Sequence, residues 1–313
     1  MSRHSAAVRL RVGDHEVVVT HPDRLLWPRD GITKAELVDY YLRVSPWMLP
    51  HLAGRPLVLT RYPGGIETRG FYQKDCPPGT PDWVPTVRFA TSRAGRTLRY
   101  LLADRPATLA WLGNLAAIEI HPWLSTARRP DRPDLVVVDL DPDPPATFED
   151  AREVAFWVRE ALAHLGLWGV PKLSGASGVH VYVPVEARYT YSQTSRLVAA
   201  LGRALAQVMP QRVTAERRVH LRAGRVYVDP YQNLRGKTVA GPYSPRPLPG
   251  APVAVPVTWE ELRAVHPLDF TLRGAARWLP DREDPLRQAM ARPQRLDALL
   301  PLLKPPRRAA GPD

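Results

Sequence analysis

The stretch LVVVDLDPDPP, residues 135–145, joins an apolar run to a series of alternating aspartates and prolines. Consecutive branched aliphatic residues are typical of a strand that is buried on both faces. Because side chains alternate along a strand, Asp139 and Asp141 at its end are expected to point to the same face. Two carboxylates this close repel each other unless a cation lies between them, and hard divalent ions such as Mg²⁺ and Mn²⁺ prefer carboxylate ligands. The pair therefore predicts a metal site.

A third aspartate favours this interpretation over a simpler one. On their own, Asp139 and Asp141 could be loop carboxylates that cap the following helix, since aspartate and proline are common at such places. Asp229 ends a second apolar strand, VYVD at 226–229, and can join the pair if the two strands are neighbours. Two-metal phosphoryl transfer needs carboxylates that bridge ions ~3.5–4 Å apart. Three aspartates at strand ends suit that demand.

A glycine-containing turn, SGASGVHVYV at 174–183, leads into another apolar strand. Backbone N–H groups in such a turn can converge on an anion, and serine hydroxyls add donors. The residues that offer these donors are Ser174, Gly175, Ser177 and Gly178. His180 follows on the strand, where it can donate a hydrogen bond to a triphosphate. The alternative is an ordinary hairpin turn with a structural histidine, and the turn lacks the GK[ST] ending of a P-loop.

The composition limits the surroundings in which the protein works. The 313 residues carry 43 Lys and Arg against 31 Asp and Glu, a net charge of +12, which favours a polyanionic partner or simply reflects an arginine-rich surface. Cys76 is the single cysteine, so neither an internal disulfide nor a multi-cysteine zinc site is possible. The N-terminus has no signal-peptide pattern, and no segment approaches the ~18 apolar residues of a membrane helix. We expect a soluble, cytoplasmic protein without a membrane partner.

Local patterns predict a mixture of strands and helices. The predicted strands are a hairpin at 8–20 and segments near 56–61, 71–74, 117–120, 135–140, 179–183 and 226–228. The predicted helices begin at a capping box of Thr33 and Glu36 and lie near 105–113, 148–165 and 192–207. A proline-rich passage, 242–256, precedes a last helical region that starts near Thr258.

Taken together, three segments resemble the three motifs of the archaeo-eukaryotic primase superfamily: DLDP (139–142), SGASGVH (174–180) and VYVD (226–229). Further segments resemble the polymerase domain of bacterial DNA ligase D. They are THPDRLLWPRDGITKAELVDYY (20–41), LPHLAGRPL (49–57), GFYQKD (70–75), IEIHPW (118–123), DPYQN (229–233) and GKTVAGPYSPR (236–246). The resemblance extends with its motifs in order over most of the chain.

The resemblance implies an α+β, primase-like fold of two lobes, with mixed and antiparallel sheets flanked by helices around a central cleft. It implies one domain over 1–300, in which an N-terminal part, 1–125, carries end-binding elements and a catalytic part, 126–300, carries the aspartates. The remaining residues, 301–313, are expected to form a mobile tail.

The activity that the resemblance implies is template-directed nucleotidyl transfer at DNA breaks during non-homologous end joining. Such a domain fills gaps and extends 3′ ends with nucleoside triphosphates, adds ribonucleotides readily, uses two Mn²⁺ or Mg²⁺ ions and recognises a downstream 5′-phosphate. No lysine of this chain is followed by x-Asp-Gly, the signature of an ATP-dependent ligase. A bacterial Ku protein and a separate ATP-dependent DNA ligase are therefore the expected partners, besides gapped or broken DNA, and the expected location is the nucleoid.

Site residues can be carried over one by one. Asp139, Asp141 and Asp229 match the metal ligands. The positions that match nucleotide contacts are Tyr72, His121, Ser174, Gly175, Ser177, His180, Gln232, Lys237 and Arg246. Arg24 and Lys34 match the pair that holds the 5′-phosphate.

The chain departs from the family pattern at a few of these positions. Tyr72 replaces a common phenylalanine, Arg24 a lysine and Gly241 an alanine. Ser177 stands where many members carry a lysine that touches the triphosphate, which predicts weaker nucleotide affinity unless Lys172 or a nearby arginine compensates.

Two other interpretations of the residues stay open at this point. DLDPD resembles the first motif of haloacid-dehalogenase-type phosphatases, although it lies in mid-chain and has Asp143 where Thr or Val is usual. The chain could also be a DNA-end-binding module without catalysis. Clustered acids argue against that module, because binding phosphates requires no negative charge beside them.

Overall fold

Two five-stranded sheets with helices packed against them form the frame of the computed structural model, which describes residues 6–90, 95–301 and 303. The strands are β1 Val8–Val12, β2 His15–Val19, β3 Leu25–Trp27, β4 Ile32–Thr33, β5 Leu57–Arg61, β6 Phe71–Gln73, β7 Thr86–Ala90, β8 Thr97–Leu101, β9 Ala117–Pro122, β10 Leu135–Pro142, β11 Val170–Leu173, β12 Val179–Pro184, β13 Val213–Thr214 and β14 Val226–Asp229. The helices are α1 Lys34–Leu52, α2 Pro106–Asn114, α3 Phe148–His164, α4 Tyr191–Val208, α5 Ala275–Trp278 and α6 Pro285–Met290.

The first sheet belongs to the N-terminal half of the chain. Its strand order is β6-β5-β8-β7, with β9 also paired to β5, and all these pairs are antiparallel. Helix α1 begins where the sequence predicts, because the Thr33 hydroxyl accepts from Glu36 N while the Glu36 carboxylate accepts from Thr33 N. This sheet carries Tyr72 and His121 on the two strands that flank β5.

The second sheet has the order β11-β12-β10-β14-β13 and is antiparallel except for the β13–β14 pair. Val136, Val138 and Leu140 of β10 belong to the hydrophobic core together with the apolar faces of α3 and α4. Because side chains alternate, Asp139 and Asp141 project from the opposite face, away from these helices. The predicted α+β fold with mixed and antiparallel sheets is confirmed.

The structure corrects the prediction for the region after the proline-rich passage. A helical region was expected from Thr258, but the chain forms short 3₁₀ turns at Glu261–Arg263 and Pro267–Asp269 and then the brief helices α5 and α6. Prolines that recur through this region interrupt helical hydrogen bonding. The pairs β3–β4 and β7–β8 were not predicted.

Two further predictions concern the C-terminal tail and membrane-spanning helices. Most of the predicted tail, 301–313, lies outside the described residues. No helix in the described part of the chain has the length and apolar character needed to span a bilayer.

Asn233 completes the hydrogen bonding of β10 at a point where its neighbour strand has ended. β14 pairs with β10 only from Asp139 to Pro142, and the chain then turns back over 231–233. The buried Asn233 side chain donates from Nδ2 to Val137 O at 2.7 Å and accepts from Val137 N at 2.9 Å. The amide thus takes the place of a strand residue two positions before Asp139.

Replacement of Asn233 by alanine is expected to lower the free energy of unfolding by about 2–3 kcal/mol, because two buried backbone groups lose their partners. Asn114→Ala is a matched control, since Asn114 Oδ1 accepts two exposed hydrogen bonds from Thr20 that water can replace. Urea denaturation measures both variants. Equal losses for the two variants would contradict the role given to Asn233.

Candidate active site

The register of four strands places a row of ionisable side chains across the second sheet. Lys172 pairs with His180, His180 pairs with Asp139, and Asp139 pairs with Asp229. Residues that lie directly opposite one another in an antiparallel sheet project to the same face with Cβ atoms ~4.5–5.5 Å apart. Asp141 lies two residues beyond Asp139 and joins the same face. The aspartates that were predicted to meet are therefore brought together by strand pairing.

The three aspartates form a compact set of oxygen ligands. One carboxylate oxygen from each of Asp139, Asp141 and Asp229 lies within 4.8 Å of the others. Among the described residues, the buried Asp139 Oδ1 has no hydrogen-bond partner, although His180 Nε2 lies 3.2 Å from it. A buried oxygen without a partner is costly, and a hard cation would satisfy it. The residues thus fit a divalent metal site.

The electrostatics of the cluster also favour a cation. Burial and the charge of Asp229 raise the pKa of Asp139 to about 7. The charge of Asp139, together with burial, raises the pKa of Asp141 to about 7. Asp139 and Asp141 therefore resist ionisation, and a divalent ion among the three carboxylates would remove that penalty.

Asp229 is held in place by the turn that follows it. Its Oδ1 accepts from Tyr231 N at 2.8 Å and from the Tyr227 hydroxyl at 3.3 Å. Its Oδ2 accepts from Gln232 Nε2 at 3.0 Å. Gln232 was expected beside the nucleotide pocket, and its amide in this structure orients a carboxylate of the triad.

The glycine turn lies against the end of β10. The Ser174 hydroxyl oxygen accepts from the backbone N–H groups of Ala176 and Gly178, so its proton is left to donate elsewhere. A Cβ at Gly178 would lie 2.6 Å from Leu140 O, so glycine alone permits this approach to the aspartates. Gly175 has φ +72° and an equally crowded Cβ position. Ser177 is exposed at the tip of the turn.

Arg246 joins the glycine turn to the first sheet. Its Nε donates to Glu119 Oε1 at 2.7 Å, and its Nη1 donates to Ser174 O. Lys172, by contrast, is fully buried, and its ammonium donates to Leu173 O at 3.3 Å. Arg246 is therefore in direct contact with the glycine turn, whereas the Lys172 side chain bonds to the backbone at the end of β11.

Tyr72 and His121 stand side by side on the first sheet. Their rings meet edge to face with centroids 5.8 Å apart. His121 Nε2 lies 3.0 Å from Thr60 Oγ1. Tyr72 is half exposed, and its hydroxyl lies 2.8 Å from Thr238 Oγ1. Thr238 is the neighbour of Lys237, so this contact links the tyrosine to the segment that carries a predicted basic contact.

Arg24 and Lys34 form a separate basic site near the start of α1. Lys34 Nζ donates to Thr20 O at 2.7 Å, and Arg24 Nη1 donates to Pro63 O at 2.8 Å. Burial and the charges of Arg24 and Arg61 lower the pKa of Lys34 to about 8. Three cations this close are stabilised by an anion among them.

Sequence reasoning missed Arg61 and Glu119 as members of these sites. Arg61 is the last residue of β5, and nothing in the strand pattern sets it apart from a solvated arginine. Glu119 carried a usable signal, because it is an acid inside the apolar run AAIEI. Acids are rarely buried without a partner, so its place in a buried strand indicates a cation nearby.

Three carboxylates that fit divalent ions, set beside a glycine turn and an arginine, define the site of a nucleotidyltransferase of the primase type. The family model for "LigD, primase-polymerase domain" matches residues 33–286. The chain belongs to this family.

Known proteins agree with this assignment. The multifunctional non-homologous end joining protein LigD of Mycolicibacterium smegmatis is 36% identical over 248 residues, which cover 79% of this chain and 32% of that protein. LigD of Pseudomonas aeruginosa is 33% identical over 294 residues, 91% of this chain and 33% of that protein. The chain thus spans about a third of these relatives.

A solved structure agrees with the fold. The polymerase domain of Mycobacterium tuberculosis ligase D, in complex with DNA, aligns with a TM-score of 0.81 at 32% identity and covers 89% of this chain and 99% of that one.

Asp139→Asn is expected to stabilise the metal-free protein at about pH 8 by on the order of 2 kcal/mol. The folded-state pKa of Asp139 is raised, so its contribution to stability is present at low pH and is lost as pH rises toward 7. The advantage of the asparagine variant therefore shrinks as pH falls toward about 4. Urea denaturation with a chelator present measures it, and Asp143→Asn is the control. A variant less stable than the parent at about pH 8 would contradict the origin of the shift.

Proposed function

We propose that this nucleotidyltransferase fills gaps and extends 3′ ends at DNA breaks in non-homologous end joining, under the direction of a template strand. The observation that carries the proposal is the convergence of Asp139, Asp141 and Asp229 within 4.8 Å, next to the donors of the glycine turn. The proposed substrates are nucleoside triphosphates, with ribonucleotides favoured, and the proposed ions are Mn²⁺ or Mg²⁺. The phosphatase interpretation has no support in a chain that belongs to a polymerase family.

The reaction joins the primer 3′-oxygen to the α-phosphorus and breaks its bond to the β-phosphate, so that pyrophosphate leaves. Asp139, Asp141 and Asp229 would hold two divalent ions, which supply activation of the 3′-hydroxyl and neutralisation of the leaving group. Burial lowers the pKa of His180 well below its usual range, so the ring is neutral beside Asp139. A neutral ring beside the Asp139 carboxylate does not compete for the place of a cation.

The triphosphate would lie along the glycine turn. The free proton of the Ser174 hydroxyl and the backbone N–H groups of Gly175 and Ser177 are its proposed donors, since those of Ala176 and Gly178 bind Ser174 Oγ. Arg246 and Lys237 supply positive charge for the non-bridging oxygens. Because two nitrogens of Arg246 are already engaged, the guanidinium is oriented before substrate binds.

The base and sugar would meet Tyr72 and His121. Tyr72 is half exposed, and stacking on an aromatic ring tolerates any base because every base has a π-face. His121 lies at the edge of that ring, where a sugar bound by the stacked base would sit. Gln232 is proposed to lie beside the nucleotide pocket and to orient Asp229 there through its amide.

Arg24 and Lys34, with Arg61 beside them, are the proposed site for the downstream 5′-phosphate. Their mutual repulsion would be relieved by a doubly charged terminal phosphate more than by an internal phosphodiester. We assign end binding to the N-terminal part, 1–125, on this basis, and catalysis to 126–300. A bacterial Ku protein and a separate DNA ligase are the proposed partners at the break, in the cytoplasm at the nucleoid.

Asp139→Ala and Asp229→Ala are each expected to reduce primer extension on gapped DNA by at least about a thousand-fold, because the charge that holds the ions is incomplete. Binding to the same DNA, followed by fluorescence anisotropy, is expected to change little. Asp143→Ala is the matched control and retains extension. Full extension by either variant in Mn²⁺ would reject the assignment of the triad.

A 5′-phosphate on the downstream strand is expected to stimulate gap filling by the parent protein. Replacing Arg24 with Gln or Lys34 with Met is expected to reduce that stimulation by roughly ten-fold, the effect of one lost ionic contact. The measurement is the ratio of extension rates on gaps with and without the phosphate. Arg203→Gln, an exposed arginine on α4, controls for net charge. An unchanged ratio in both site variants would contradict this assignment.

A further inference from the structure

We infer that Glu119 is a positioning residue of the nucleotide site, which orients Arg246 at the triphosphate end and His121 at the sugar end. The inference rests on the proposed function and goes beyond it, because it assigns to one buried acid the relative placement of Arg246 and His121.

Side chains alternate between the two faces along β9, and this places Glu119 beside His121. Glu119 and His121 are two residues apart on this strand, so their side chains share a face. Glu119 Oε1 accepts from Arg246 Nε at 2.7 Å, while its Oε2 lies 3.5 Å from His121 Nε2. The carboxylate is only 7% exposed, so both contacts are shielded from water. Glu119 thus binds Arg246 directly and is a close charged neighbour of His121, whose Nε2 also contacts Thr60 Oγ1.

Arg246 also has a second hydrogen bond, which fixes the orientation of its guanidinium. Arg246 Nη1 donates to Ser174 O in the glycine turn, while Nε is held by Glu119 on the first sheet. The guanidinium therefore joins the first sheet to the glycine turn, and its Nη2 makes no hydrogen bond within the described part of the chain. An arginine held at two points loses little further rotational freedom when it binds a phosphate oxygen.

The negative charge of Glu119 is unfavourable beside a site that is proposed to bind a triphosphate. Burial by itself would raise the pKa of Glu119, but the hydrogen bond and charge of His121 and the charge of Arg246 outweigh it and hold that pKa at about 2. Glu119 is therefore a full negative charge near a site that is proposed to take a polyanion. A positioning role explains why an anion would be retained there.

The two explanations predict opposite results for Glu119→Gln, which keeps the shape and removes the charge. If Glu119 acts only through its field, the variant binds a nucleoside triphosphate more tightly, because one repulsion is gone. If Glu119 positions Arg246 and His121, the variant binds it more weakly, because the guanidinium loses a charged acceptor and the ring loses a charged neighbour.

The test measures kcat and KM for ATP on gapped DNA, and the binding of Mn²⁺-ATP by calorimetry, for the full chain. We expect Glu119→Gln to raise KM and the dissociation constant about ten-fold, with a smaller change in kcat. In an Arg246→Gln background the same change is expected to have a clearly smaller effect than in the parent, because one of the two groups it positions is gone. Unchanged or tighter binding, or an equal loss in both backgrounds, overturns the inference.

Two further variants separate positioning from folding. Asp134→Asn disturbs another ion pair with a buried arginine, Arg55, and is expected to lower stability without raising KM. Glu119→Asp keeps the charge on a shorter stem, so a raised KM supports positioning and a parental KM overturns it, even if Glu119→Gln does not fold. Extension by the parent protein in the same assay tests the proposed function separately from the role of Glu119.

Discussion

The central physical constraint on this site is the repulsion between carboxylates that antiparallel pairing sets directly opposite each other. Asp139 and Asp229 are partners across β10 and β14, both buried, and Asp141 is the next residue on the same face. Like charges in this arrangement destabilise a sheet unless something compensates. The apolar packing of α3 and α4 on the other face keeps the strands together despite this cost. The sheet thus holds an unfavourable charge cluster ready for cations.

Several neighbours of the triad fix its geometry without adding charge. Gln232 and Tyr231 hold Asp229, Asn233 holds the middle of β10, and the neutral His180 stands beside Asp139. Positive charge enters from the other side through Arg246, which joins the glycine turn to the first sheet. The two sheets therefore meet at the place where the proposed substrate carries its charge.

The period of two along residues 135–141 was enough to predict that Asp139 and Asp141 share a face, and the capping box of Thr33 was enough to place the start of α1. The meeting of Asp229 with that pair depended on strand register, which no local pattern encodes. Resemblance to a family, rather than periodicity, made that expectation specific. Sequence could not show that Arg61 joins Arg24 and Lys34, because that is a tertiary contact, or that the turn after β14 directs the Gln232 amide to the Asp229 carboxylate. The prolines after Thr258 divide the predicted helical region into short 3₁₀ turns and brief helices.

The most direct measurement of the central claim is anomalous diffraction from crystals that contain Mn²⁺ and a non-hydrolysable nucleoside triphosphate. We expect two manganese peaks ~3.5–4 Å apart, with oxygens of Asp139, Asp141 and Asp229 as their protein ligands. Manganese bound elsewhere, with the three carboxylates free of metal, would contradict it.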